Sequence, residues 1–179
     1  MGAIDYRLIE SKWQKKWAEK KAYERNPDKR EKFYLTAAFP YPNSPQHIGH
    51  ARTYTTTDVY ARFKRMQGKN VLLPMAFHVT GTPILAMAKR IAEKDEELLK
   101  IFESIYGIPR EKAAELTDPR DLVTYFSKEI EQGMKEMGFS IDWRRNYITT
   151  SLNPHYDKFI RWQFRKLKEK DYVIKGKFP

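Results

Sequence analysis

Two imidazoles stand three positions apart in His47-Ile48-Gly49-His50, where a proline-rich passage gives way to helical spacing, and His78 follows in a second loop. Side chains three apart share one face of a helical turn, and two imidazoles so placed can donate to the same phosphate group. The first N–H groups of a helix lack partners and carry the positive end of its macrodipole, so they attract phosphate as well. Gly49 leaves room for a ligand to approach the backbone. A nucleotide phosphate suits all three features. A metal held by His47, His50 and His78 is the competing chemistry, and it lacks the His-Glu-x-x-His spacing that a zinc helix would show.

The surrounding elements must bring these residues together. The apolar run Phe33 to Phe39 reads as a buried strand, ended by the prolines that follow. From Ile48 a helix is predicted, with Val59, Phe63 and Met66 as its apolar positions. Asn70 to Met75 is a second short strand. Strand, helix, strand implies a right-handed parallel crossover and the start of a doubly wound α/β sheet. Ligands of such sheets lie beyond the carboxyl ends of the strands, where the loops from Phe39 to His50 and from Ala76 to Pro83 emerge, so both should face one site. Pro83 suits the first position of a helix through Ile84, Met87, Ala88 and Ile91, with Thr82 as its N-cap.

Outside this unit the chain is mostly helical in pattern. A helix over Asp5 to Tyr23 keeps Tyr6, Ile9, Trp13 and Trp17 on one face and should pack by its two indoles, while Lys12, Lys15, Lys16, Lys20 and Lys21 form a solvated face. Leu98, Leu99, Phe102 and Ile105, then Leu122, Phe126, Ile130 and Met134 or Met137, mark helices separated by Gly107-Ile108-Pro109, with Asp118-Pro119 opening the second. Tyr147 to Thr149 reads as a strand. Asn153-Pro154 starts a helix striped by Tyr156, Phe159, Ile160, Phe164 and Leu167, with His155 exposed, and Asp171 to Ile174 reads as a last strand. Four parts follow: an N-terminal helix over 1–30, half of a nucleotide-binding domain over 31–94, a helical insertion over 95–140, and a return to the first domain over 141–179.

The 179 residues suffice for one packed domain, with 41% hydrophobic residues. The net charge of +11 favours an anionic partner, although Lys and Glu on helix faces also mark ordinary or heat-adapted surfaces. A basic RNA-binding module is therefore a rival class. The absence of cysteine excludes disulfides and thiolate metal sites within these residues. No apolar run approaches the roughly 18 residues of a membrane span, and the charged N-terminus is no signal peptide. A soluble, cytoplasmic protein is expected, without a membrane partner.

His47-Ile48-Gly49-His50, with Ala-Phe-Pro-Tyr-Pro-Asn before it and Ala-Arg-Thr-Tyr-Thr-Thr-Thr-Asp-Val-Tyr after it, resembles leucyl-tRNA synthetase, a class I aminoacyl-tRNA synthetase, in its archaeal and eukaryotic cytosolic type. Gly-Phe-Ser-Ile-Asp-Trp and Phe-Ile-Arg-Trp-Gln-Phe extend the likeness over nearly the whole chain. The resemblance implies a Rossmann-like parallel sheet, the first half of a catalytic domain that ends before an editing insertion. It implies ATP, with Mg²⁺, joined to leucine as leucyl-adenylate and then transfer of leucine to tRNA(Leu). His47 and His50 become the catalytic pair; Phe39, Pro40, His47, Gly49 and His50 bind ATP; Phe39, Tyr41 and His78 bind the amino acid. No resident metal is implied, a full-length parent would be monomeric, and the oligomeric state of the chain is open.

Two departures stand out. His78 occupies the position where bacterial leucyl, isoleucyl and valyl enzymes place an Asp that pairs with the substrate ammonium, and a histidine offers it at most one acceptor. The family's second signature, Lys-Met-Ser-Lys-Ser, does not occur among these residues. The chain alone is therefore expected to be a fragment that neither activates leucine at a useful rate nor edits. The methionyl, isoleucyl and valyl enzymes are the neighbouring readings, and a small His-x-Gly-His nucleotidyltransferase is a more distant one.

Overall fold

Hydrophobic spacing and proline breaks divide the chain into helices joined by short extended pieces, and the structure, a computed structural model, describes residues 4–177. Strand β1 (Lys32–Tyr34) leads through a loop to helix α2 (Ile48–Met66), which returns the chain to β2 (Asn70–Leu72). Helix α1 (Tyr6–Glu19) precedes them. β1 and β2 pair in parallel with Phe33 opposite Val71. A second parallel pair follows, β3 (Ala76–Phe77) with β4 (Tyr147–Ile148), Ala76 opposite Tyr147. This is mixed α/β with short parallel sheets and the crossover that the sequence implies.

The strands are shorter than their apolar runs, for a reason the register supplies. Asn70 N–H donates to the Glu31 carbonyl and Leu35 N–H to the Leu72 carbonyl. In that register the next donor falls at residue 74, and Pro74 has none, so β1 ends at Tyr34 rather than Phe39 and β2 stops before Met75. Phe33, Leu35, Ala37 and Phe39 are half-buried while the residues between them are exposed, so this segment has one packed face instead of two. Met75 is buried all the same.

Between β3 and β4 run α3 (Thr82–Ala92), α4 (Glu96–Ser104), α5 (Arg110–Glu115) and α6 (Pro119–Glu136). Their apolar faces meet in the core, where Phe102 lies 5.7 Å from Phe126 between ring centroids, with Leu98, Leu99, Leu122 and Ile130 around them. Ile108 follows the Gly107 turn into this core; Ile105, expected inside, is exposed, and of the alternatives Met134 and Met137 it is Met134 that is buried. Asp118 caps α6 through the Arg120 N–H at 2.7 Å. For α3 the cap is Gly81 at φ 83, with no side-chain bond, so Thr82 is the first helical residue and not the N-cap.

The flanking helices pack differently. No residue of α1 or of α7 (Pro154–Glu169) is buried. α1 docks by one indole, not two: Trp17 is half-buried against Gly138, while Trp13 keeps 42% of its surface exposed. Gln14 adds one hydrogen bond to the Glu136 carbonyl at 2.7 Å. Asn153 caps α7 as expected, through the His155 and Tyr156 N–H groups, and His155 is exposed; Phe159 and Phe164 of the apolar stripe are exposed too. Residues 171–174, expected as a strand, form none, and among the described residues no segment pairs with them: Asp171 turns at φ 58 and Tyr172 N–H bonds back to the Leu167 carbonyl.

Candidate functional site

The chain turns into α2 at His47, which is extended (φ −113, ψ 174) and serves as the N-cap. N-caps are usually Ser, Thr, Asp or Asn, whose side-chain oxygen accepts from an early N–H of the helix. Here an imidazole does so: His47 Nδ1 accepts from the Gly49 N–H at 3.0 Å. His50 reaches back, its Nδ1 accepting from the His47 N–H at 3.3 Å. The arrangement is reciprocal, like a capping box, with two histidines in place of a hydroxyl and a carboxylate. It draws the rings together, 4.0 Å between centroids at 44°. Among the described residues no hydrogen bond engages either Nε2. His47 is exposed and His50 half-buried, and burial, with the neighbouring His47, holds the His50 imidazole below its usual pKa of 6.5.

Gly49 meets a packing requirement besides the ligand access that the sequence suggests. A Cβ there would stand 2.8 Å from His47 Cε1 and 2.9 Å from Nδ1. The space that a side chain would fill is taken by the capping ring. The motif's glycine and its first histidine are thus one packing unit.

The other predicted residues gather at the end of β3. His78 N–H donates to the Pro40 carbonyl at 2.9 Å, which lays Phe39-Pro40-Tyr41 alongside it. The Tyr41 and His78 rings meet edge to face at 4.6 Å, and Phe39 packs the same way on Tyr147 at 5.6 Å. His78 Nε2 lies 2.6 Å from the Thr80 hydroxyl. Pro42, fully buried, anchors the loop between this group and the histidine pair.

Tyr54 joins the two groups. It lies one turn after His50 on the same face of α2, and its hydroxyl donates to the Ala38 carbonyl at 3.2 Å, next to Phe39. Burial pushes that hydroxyl's pKa up to about 12, so it stays a donor. The face of α2 that carries His50 is therefore turned toward the segment carrying Phe39, Pro40 and Tyr41. A cavity of about 390 Å³ lies elsewhere, between α1 and the turn after α6, walled by Trp17, Tyr23, Phe139 and Trp143, and none of the predicted residues lines it. Among the described residues no three His, Cys, Asp or Glu side chains gather as a metal site would need.

Sequence reasoning missed what holds α2 in place. Asp58 is 7% exposed; it accepts from the Ser140 N–H at 2.6 Å, from the Ser140 hydroxyl at 2.5 Å and from Arg62 Nε at 2.7 Å. Arg62 continues to the Gly138 carbonyl at 2.6 Å, and Arg65 grips both the hydroxyl and the carbonyl of Ser140. Burial, together with Arg25, pushes the Arg65 guanidinium down to about 10. Asp142, fully buried, accepts from Arg144 and from the Arg25 N–H; burial alone would raise its carboxyl, and these bonds hold it below the usual value. The signal available was Asp58 and Arg62 at i, i+4 on a helix, which also describes any surface pair.

The chain as a whole is similar to known proteins. The family model described as tRNA synthetases class I (I, L, M and V) matches residues 12–179. Leucine–tRNA ligase 2 of Sulfolobus acidocaldarius is 54% identical over 172 residues, covering 96% of the chain. The leucine–tRNA ligase of Methanocaldococcus jannaschii is 52% identical over 179 residues, covering the whole chain. The chain spans 18% and 19% of the length of these two relatives. Among solved structures, the Agrobacterium radiobacter K84 LeuRS in a ternary complex with tRNA and LeuAMS superposes with a TM-score of 0.73 at 25% identity, over 94% of this chain and 19% of that one.

Proposed function

This chain belongs to the class I tRNA synthetases of the isoleucine, leucine, methionine and valine group, and we propose that it serves a leucine–tRNA ligase, as the part that grips ATP and shapes the leucine pocket. The reaction joins leucine to ATP as leucyl-adenylate, releasing pyrophosphate, and then passes leucine to tRNA(Leu). Attack of a carboxylate on the α-phosphate needs no protein nucleophile, so the protein's task is to position the reactants and to stabilise charge on phosphate oxygens. The observation that carries the reading is the pair of imidazoles 4.0 Å apart at the start of α2, outside the packed interior and on the face turned toward Phe39 and Tyr41.

Each residue takes a role on this reading. His47 and His50 donate to phosphate oxygens at the N-terminal end of α2, where the helix dipole is positive. Phe39, Pro40 and Gly49 line the adenylate, and Tyr41 with His78 walls the leucine. Tyr41, 39% exposed, has a ring edge on His78 and a face left for an apolar side chain. Mg²⁺ would travel with the phosphates of ATP, held by phosphate oxygens and water; among the described residues no carboxylate cluster gathers for it. The identities near 50% with archaeal leucine–tRNA ligases favour leucine over methionine, isoleucine or valine. Among the described residues no helix is long and apolar enough to cross a membrane, which fits a cytoplasmic enzyme.

The test is calorimetric titration of the chain with non-hydrolysable sulfamoyl analogues of leucyl-, methionyl-, isoleucyl- and valyl-adenylate. The leucyl analogue should bind most tightly, and the His47→Ala/His50→Ala double variant should bind it at least tenfold more weakly. Absence of binding by the wild-type chain would overturn the nucleotide reading. Tighter binding of the methionyl analogue would overturn leucine.

A further inference from the structure

The reciprocal cap does more than start a helix. A backbone N–H can only donate, so a ring nitrogen that accepts from one cannot itself carry a proton. His47 Nδ1 accepts from Gly49 N–H and His50 Nδ1 from His47 N–H. A neutral imidazole keeps one ring proton, and which nitrogen holds it is decided by what the other nitrogen bonds. We propose that the first turn of α2 sets the tautomer of both rings, so that His47 and His50 are presented as neutral imidazoles with the proton on Nε2. This deepens the ATP-gripping reading, yet the assignment itself rests only on the contacts with the backbone.

The chemical consequence is a narrowing of role. With Nδ1 occupied and Nε2 protonated, neither ring has a lone pair left. Such rings cannot abstract a proton or ligate a metal; they can only donate. The pair is built for hydrogen bonding to an anion, each ring offering one N–H at Nε2. Protonating Nδ1 would set N–H against N–H, break the cap and place two cations 4.0 Å apart. The depression of the His50 pKa by burial and by His47 points the same way.

His78 supplies the contrast. Its Nε2 meets the Thr80 hydroxyl, which can donate or accept, so nothing in that contact selects a tautomer. The site therefore holds two imidazoles of set polarity and one of adaptable polarity. Gly49 belongs to the device as well, since a Cβ would collide with the His47 ring at 2.8 Å and push it from the cap.

The decisive measurement is a long-range ¹H–¹⁵N correlation spectrum of the ¹⁵N-labelled chain above the imidazole pKa, with rings assigned from His47→Asn and His50→Asn spectra. Both rings should show the Nε2–H pattern, and a ring with Nδ1–H, or an averaged pattern, at either position would overturn the proposal. In Gly49→Ala the His47 pattern should become averaged; persistence of the locked pattern would mean that the backbone amide is not what selects the tautomer. His47→Asn keeps an acceptor where Nδ1 was and should melt at the wild-type temperature, with ATP bound about tenfold more weakly. His47→Gln lacks the cap and should melt lower; equal melting of the two variants would overturn the cap as the positioning element. ATP added to the wild-type sample tests the other reading separately: locked tautomers with no response to ATP would sink phosphate binding and leave the tautomer assignment standing.

Discussion

Helices α6 and α2 are nearly equal in length, 18 and 19 residues, yet α6 buries only apolar side chains while α2 buries a carboxylate among them. α6 turns Leu122, Val123, Phe126, Ile130 and Met134 inward, as its apolar spacing predicts. α2 buries Tyr54, Asp58 and Ala61 and leaves Val59, Phe63 and Met66 exposed at 59%, 49% and 86%. The difference lies in what each helix meets. α6 faces other apolar helices, whereas α2 faces the backbone of Gly138 and Ser140, whose N–H and carbonyl groups need partners once buried. A carboxylate buried between Tyr54 and Ala61 is stable where a distant segment presents complementary polar groups, and that segment lies some 80 residues away in the sequence.

The contrast can be broken most forcefully on the apolar side. Phe126 is fully buried against Phe102, so Phe126→Ala should cost about 4 kcal/mol through lost burial and an unfilled cavity, read by urea unfolding. Asp58→Ala should come next, at about 3 kcal/mol, because it strands the Ser140 N–H and the Arg62 guanidinium rather than opening a void. If Asp58→Ala costs under about 1 kcal/mol, the polar face of α2 contributes no more than a surface pair, and the distinction between the two helices fails.

These helices also show where the sequence is legible. The crossover from β1 through α2 to β2, the caps at Asp118 and Asn153 and the core positions of α4 and α6 follow from spacing and turn residues, because local rules decide them. The orientation of α2 does not, because an apolar stripe at Val59, Phe63 and Met66 says that a helix is two-sided and leaves open which side another segment will claim. The ends of β1 and β2 depend on Pro74 falling at a particular register position, which only pairing reveals. At the site, the sequence showed that His47 and His50 sit together at a helix start. It did not show that they cap it, since histidine is not among the residues from which an N-cap is read.

The two N-termini sharpen the comparison through pH. Asp118 caps α6 with a carboxylate, while α2 is capped by imidazoles that lose their acceptor on protonation. For His50 the folded state holds the pKa below the unfolded value of 6.5, so the unfolded chain binds more protons between the two values. Its contribution to stability is complete above about pH 6.5 and is lost as pH falls through the depressed folded value. Unfolding of the wild type should show this decline, and His50→Gln, which carries no titrating ring, should flatten it; an unchanged slope would remove His50 from the account.

The smallest effect reads the rotation of α2 about its axis. Met66 is 86% exposed in the last turn of the helix, where the macrodipole favours a cation. Met66→Lys should therefore change stability by less than about 0.5 kcal/mol, the range of ordinary surface substitutions. Were Met66 instead packed inward, as its spacing with Val59 and Phe63 suggests, burying a lysine there would cost several times as much, since an unpaired charge would lose its water. A near-neutral Met66→Lys beside a costly Asp58→Ala would fix the rotation of α2 about its axis, and with it the direction in which His50 and Tyr54 face.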